Sequence, residues 1–75
     1  MAKGKLNEIA TTAEDVAFLH DINDRGFSVF PLSSKLRDYL IAEGYIGVNT
    51  MEPTTRYALL TKGRSAIERF CIEVK

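Results

Sequence analysis

The 75 residues predict a small α+β domain, three helices with a short three-stranded antiparallel sheet in which two strands form a β-hairpin. Three observations carry this. Apolar residues return every three or four positions in three segments, which is the spacing of a helix face at about 3.6 residues per turn. Between those segments lie short runs of aromatic and β-branched residues that favour extended backbone. Glycine, proline, serine and threonine stand at the joints, where helices start and stop.

Residues 1–11, beginning MAKGKLNEIA, are mixed and weakly patterned, so they are expected to be a flexible arm or a short extra turn. Residues 12–75 make the domain. Thr12 opens TAEDVAFLHDINDRG, and Asp15 three positions later completes the spacing of a capping box, in which each side chain takes the other residue's amide. Glu14 and Asp15 also suit the positive end of the helix dipole. Val16, Phe18, Leu19 and Ile22 share one broad face, and Gly26 supplies a left-handed stop.

Residues 27–30 then read as a short strand closed by Pro31, which biases Phe30 away from helical angles. Ser33 or Ser34 caps SKLRDYLIAEG, where Leu36, Tyr39 and Leu40 fall on one side and Lys35, Arg37 and Asp38 on the other. Gly44 ends that helix. YIGVNT and RYALL pair as a hairpin across MEPTT, a polar projecting link whose Pro53 does not suit a central strand. Thr61 is placed to cap the last helix, whose Ile67, Phe70, Cys71 and Val74 stand at i, i+3, i+4 and i+7. No single element can exclude water alone, so the helices must bury a common apolar side against the sheet.

Composition narrows the function. Ten basic and ten acidic residues give a formal charge of zero, so no global field draws the chain to nucleic acid or to an anionic membrane. Any such surface must be local, and residues 31–75 do carry seven basic against five acidic side chains. No apolar run approaches the roughly 18 residues of a membrane span, and the start lacks a signal peptide's apolar centre. A cytoplasmic location is expected. The single Cys71 sits within an apolar stripe, as a buried free thiol does in a reducing compartment.

The phrases SSKLRDYLIAEGYI and RYALLTKGRSAIERF, in this element order, resemble the winged-helix domains of bacterial and phage regulators, particularly the MarR and PadR-like groups. The first looks like a recognition helix ending in glycine and an apolar pair. Its LTKGR counterpart looks like the phrase that leads from the second wing strand into the closing helix. The resemblance covers residues 12–73 and implies a winged-helix fold and DNA binding. One departure stands out: only Phe27 to Ser33 separate the first helix from the recognition-like one, so the family's middle helix is lost or reduced to a turn.

In a winged helix the helix before the hairpin enters the major groove, and the hairpin reaches the backbone or minor groove. The matching residues here are Ser33, Ser34, Lys35 and Arg37 on the helix, Thr55 and Arg56 on the wing, and Lys62 and Arg64 at the start of the last helix. Serine donates to a phosphate, lysine neutralises one, and arginine can fork onto guanine. Asp38 and Glu52 intrude on this set. The same cations also fit the solvated arc of an amphipathic helix.

Catalysis, metal binding and a cofactor are not expected. His20 has no companion at ligand spacing and suits the edge of a core. Glu14, Asp15, Asp21 and Asp24 are capping and solvent-facing before they are an acid and base pair. The serines lack a nucleophile-elbow setting and the glycines form no phosphate loop. Two functions follow: a small DNA-binding transcriptional regulator of phage or bacterial type acting on double-stranded DNA, or a winged-helix protein-interaction module that modulates a host enzyme or another regulator. Tyr39, Tyr45 and Tyr57 serve the core or, if exposed, anchor a partner. The last helix can be the lid of its own core or the seam of a homodimer.

Overall fold

Seven elements alternate along the chain in a computed structural model that describes residues 5–51 and 54–74. They are α1 (Lys5–Ile9), α2 (Ala13–Arg25), β1 (Phe27–Ser28), α3 (Ser34–Ala42), β2 (Ile46–Met51), β3 (Thr54–Leu59) and α4 (Thr61–Val74). The class is α+β as expected, with one helix more than the sequence pattern gives. Of the expected arm, Lys5–Ile9 forms α1, and Leu6, Ile9 and Ala10 are buried in the common core. From Leu6 onward this segment is therefore part of the domain's packing and not a free arm.

The sheet is antiparallel with strand order β1-β3-β2. Its register sets Phe27 against Ala58 on one side and Gly47 against Ala58 on the other. Strand side chains alternate between faces, so Ser28, Ile46, Tyr57 and Leu59 look toward the helices while Phe27, Gly47, Arg56 and Ala58 look away. Tyr57 is buried and meets Phe18 of α2 edge to face, ring centroids 5.5 Å apart. The hairpin is longer than expected: Met51 pairs with Thr54, and Glu52 and Pro53 of the projecting link lie outside the described residues. The first strand is shorter, because Val29 and Phe30 leave the sheet after Ser28.

Phe18, Leu19, Ile22, Leu36, Leu40 and Ile67 have no exposed surface and form the centre of the core. They come from α2, α3 and α4, so the three helical faces drawn from the sequence do converge. Each such side chain contributes about 1.5–3 kcal/mol on burial. Phe70 and Cys71 close the same core from α4, which acts as the lid of its own domain.

The helix ends explain how α3 is held. Thr12 caps α2 as expected, its hydroxyl accepting from the Asp15 amide at 3.1 Å. Asp15 does not complete the capping box. Its carboxylate is buried and instead accepts from the Ser33 amide and the Ser33 hydroxyl, both at 2.9 Å. Asp15 is thus a structural ligand of the next helix and not a solvent-facing acid. Ser33 in turn caps α3 by accepting from the Leu36 amide at 3.3 Å.

At its other end α3 stops in a left-handed Gly44, φ 76°, with the Gly44 amide on the Ile41 carbonyl and the Tyr45 amide on the Leu40 carbonyl. The strand-to-helix joint differs from expectation by one residue. Leu60, not Thr61, stands at the cap position: its carbonyl accepts from the Gly63 and Arg64 amides, and its own amide donates to the Tyr45 carbonyl at 3.0 Å. Gly63 makes this approach feasible, because a Cβ there would stand 2.2 Å from the Tyr45 oxygen and 2.6 Å from its Cα.

Candidate nucleic-acid interface

α3 is a short amphipathic rod clasped at both ends. Leu36 and Leu40 sink into the core and Tyr39 is half-buried, leaving Ser34, Lys35, Asp38 and Ile41 exposed with Arg37 half-exposed. The outward arc is therefore the one the sequence assigns. Ser34 and Lys35 stand in the first turn, where free backbone amides add positive potential. Ser33 belongs to the clasp: its hydroxyl gives its proton to Asp15 and accepts from Leu36, so its role is to orient the helix. Arg37 Nε lies 3.6 Å from Asp38 Oδ1, an exposed pair contributing about 0–1 kcal/mol that leaves most of the guanidinium free.

The other assigned residues divide into two groups. Lys62 in the first turn of α4 runs beside the far end of α3, its stem 3.8 Å from where a Cβ at Gly44 would stand. A cation there complements the negative end of the α3 dipole, which accounts for a lysine at the unfavourable end of its own helix. Arg64 is exposed two residues further on, about 200° around the same helix, and so projects on the other side of α4 from Lys62.

Thr55 and Arg56 are neighbours on β3 and so face opposite ways. Thr55 is half-buried on the face of Tyr57, whereas Arg56 lies on the open face with its Cζ 5.0 Å from the Phe27 ring centre. Arg56 thus leans toward β1, across the sheet from the β2 side where α3 packs. Of these cations, Lys62 adjoins α3, and Arg56 belongs to another surface.

Two features escaped the sequence pattern. Phe27 carries a second cation, Arg25 Cζ at 4.9 Å, and Arg25 also binds Asp21 at 2.8 Å. That bond to Arg25 holds the Asp21 carboxyl below its ordinary range and raises the guanidinium in return. The second feature is a cleft of about 190 Å³ between α1, α3 and α4, with Leu6, Ala66 and Phe70 at its base and Tyr39, Tyr45, Arg69 and Glu73 around it. Tyr39 and Tyr45 pack edge to face at 6.0 Å, and burial, with the neighbouring Tyr45, raises the Tyr39 phenol. Helix periodicity assigns Tyr39 to the core side but does not show that α1 leaves a gap beside it.

Cys71 is inert in its surroundings. Its thiol donates to the Leu19 carbonyl at 3.5 Å, and burial, with a smaller push from Asp24, raises its pKa to about 11. Among the described residues, no helix is long and apolar enough to cross a membrane, and no three His, Cys, Asp or Glu side chains gather as metal ligands. In comparisons with known proteins, no family model, no curated protein and no solved structure matches this chain.

Proposed function

We propose that the chain is a small winged-helix protein that binds double-stranded DNA through α3 and acts as a transcriptional regulator of phage or bacterial type. The observation that carries this reading is the clasped α3 itself. A helix fixed by Asp15 and Ser33 at its start, with Ser34, Lys35 and Arg37 outward, leads directly into an antiparallel hairpin. The sheet order β1-β3-β2 and the closing helix after the hairpin fit the same family pattern. Residues 29–33, where the family has its middle helix, contain no helix, and the Asp15 to Ser33 bonds supply the support that helix would give.

The mechanism is occupancy. Ser34 and the first turn of α3 bind a phosphate that Lys35 neutralises, Lys62 meets another at the far end of the helix, and Arg37 reaches a base edge. A single chain making about three phosphate contacts has a salt slope of about −3 and binds duplex DNA weakly at cellular salt, so specificity requires a second copy or a partner. Fluorescence anisotropy of a labelled duplex at several salt concentrations tests this. The expected result is a log–log slope near −3 that falls by about 1 in Lys35→Ala; a slope near zero, or equal slopes in both proteins, rejects it.

A second reading has its own observation. The cleft beside Tyr39 and Tyr45 joins two phenols, an apolar base and a charged rim, the composition of a protein-binding hot spot. A protein-interaction module would use this surface. It requires that a partner captured from lysate survive nuclease treatment and be lost in Tyr45→Ser.

A further inference from the structure

On the face of the sheet turned away from the helices, Phe27 is the meeting point of two guanidinium groups. Arg25 Cζ lies 4.9 Å and Arg56 Cζ 5.0 Å from the centre of its ring. The backbone brings them together. Gly26 turns through φ 83° between Arg25 and Phe27, so the last residue of α2 folds back over the first residue of β1. Arg56 arrives on the central strand, two residues before Ala58, which is the cross-strand partner of Phe27. The ring thus holds two cations that Coulomb repulsion alone would drive apart.

Their pairing is unequal. Asp21 takes one edge of the Arg25 fork at 2.8 Å, whereas Arg56 forms no ion pair among the described residues. The cluster of Asp21, Arg25 and Arg56 therefore keeps one net positive charge and unused N–H donors. Beside it Ala58 follows Phe27 on the central strand, the Leu60 side chain covers Gly47 beyond it, and Asn49, opposite Arg56, adds an amide on the same face. Arg56 and Asn49 are both exposed on this side.

We infer that Arg25, Phe27 and Arg56 form a phosphate clamp that holds the phosphodiester backbone of a polynucleotide on the open face of the sheet. The chemistry is that of two planar donors held against one ring: each guanidinium offers N–H groups to non-bridging oxygens along the backbone, and the ring holds both heads in place before the ligand arrives. The small Ala58 side chain lets a sugar or base come close to the central strand, with Leu60 bounding the site at Gly47. The clamp is separate from α3, and it gives Arg56 a role that does not require it to share a surface with Lys35 and Arg37.

The test is a titration of the isotopically labelled full chain at low salt, following the Arg Nε–H and Phe27 ring resonances. The ligands are a short single-stranded DNA, the duplex of the same sequence, and inorganic phosphate. Both Arg signals and the Phe27 ring are expected to shift with at least one of the two DNAs, and that arm identifies the form held. Arg56→Gln is expected to weaken this response on the order of tenfold. A Lys35→Ala, Arg37→Ala double variant is expected to keep it while losing shifts on α3, so failure of the clamp and failure of the α3 reading are distinguishable. Absence of the shifts with both DNAs, their persistence in Arg56→Gln, or an equal response to inorganic phosphate overturns the proposal.

Discussion

The two ends of α3 are secured by different physics. At its start a polar relay runs from Thr12 through Asp15 to Ser33 and Leu36, every step a hydrogen bond near 3 Å. At its end a left-handed glycine turns the chain into β2, and α4 presses its first turn onto Tyr45 with only a hydrogen atom's width at Gly63. The first joint depends on which polar groups are present. The second depends on a side chain being absent.

Breaking the second joint should cost most. Gly63→Ala places a methyl group inside backbone atoms of Tyr45, which cannot rotate away as a side-chain tip can. The expected loss is about 3 kcal/mol or more, seen as a lower urea midpoint, and a midpoint within 0.5 M urea of wild type (on the order of 1 kcal/mol) contradicts the close approach. Next comes the polar relay. Asp15→Ala leaves the Ser33 amide and hydroxyl without their acceptor and is expected to cost about 1.5–3 kcal/mol. Ser33→Ala removes the cap but leaves Asp15 its amide donor, so a smaller loss of about 1–2 kcal/mol is expected. If the two substitutions are additive in a double-mutant cycle, they are not parts of one relay.

Smaller effects come from titration and sharpen the contrast between buried and exposed groups. The folded Cys71 thiol ionises near pH 11, above its ordinary 9.0, so folding favours the protonated form. Its contribution is complete below about pH 9 and is lost as pH rises through about 11. Cys71→Ser is expected to flatten that part of the stability profile. Asp21 works in the other direction: its folded pKa is lowered, so its contribution is present above the ordinary value of 3.8 and disappears as pH falls through the lower folded value. Arg25→Gln is expected to abolish this acid-limb difference with little change at neutral pH, because the pair is exposed.

The sequence was most legible where one residue acts on its own neighbours. Thr12 and Ser33 as caps, Gly26 and Gly44 as stops, and the buried sets of α2, α3 and α4 all follow from local spacing. Legibility failed where the deciding contact is remote. Asp15 has the spacing of a capping box, yet its partner lies 18 positions away. Gly63 resembles an ordinary residue in the first turn of a helix until Tyr45 is brought against it. For α1 the pattern leaves an arm and a short extra turn both open, because Leu6 and Ile9 are too few apolar positions to show a period, although the core buries both. Among the candidate DNA contacts, the outward arc of α3 was readable from periodicity, whereas the departure of Arg56 toward Phe27 depends on strand order.

The most direct test of the α3 reading is an amide correlation spectrum of the labelled protein titrated with a short mixed-sequence duplex. Shifts are expected first at Ser34, Lys35 and Arg37, then at Lys62, with Asn7, Ala66 and Arg69 around the tyrosine cleft unmoved. Perturbation confined to those cleft residues, or an α3 that stays silent at low salt, would contradict it.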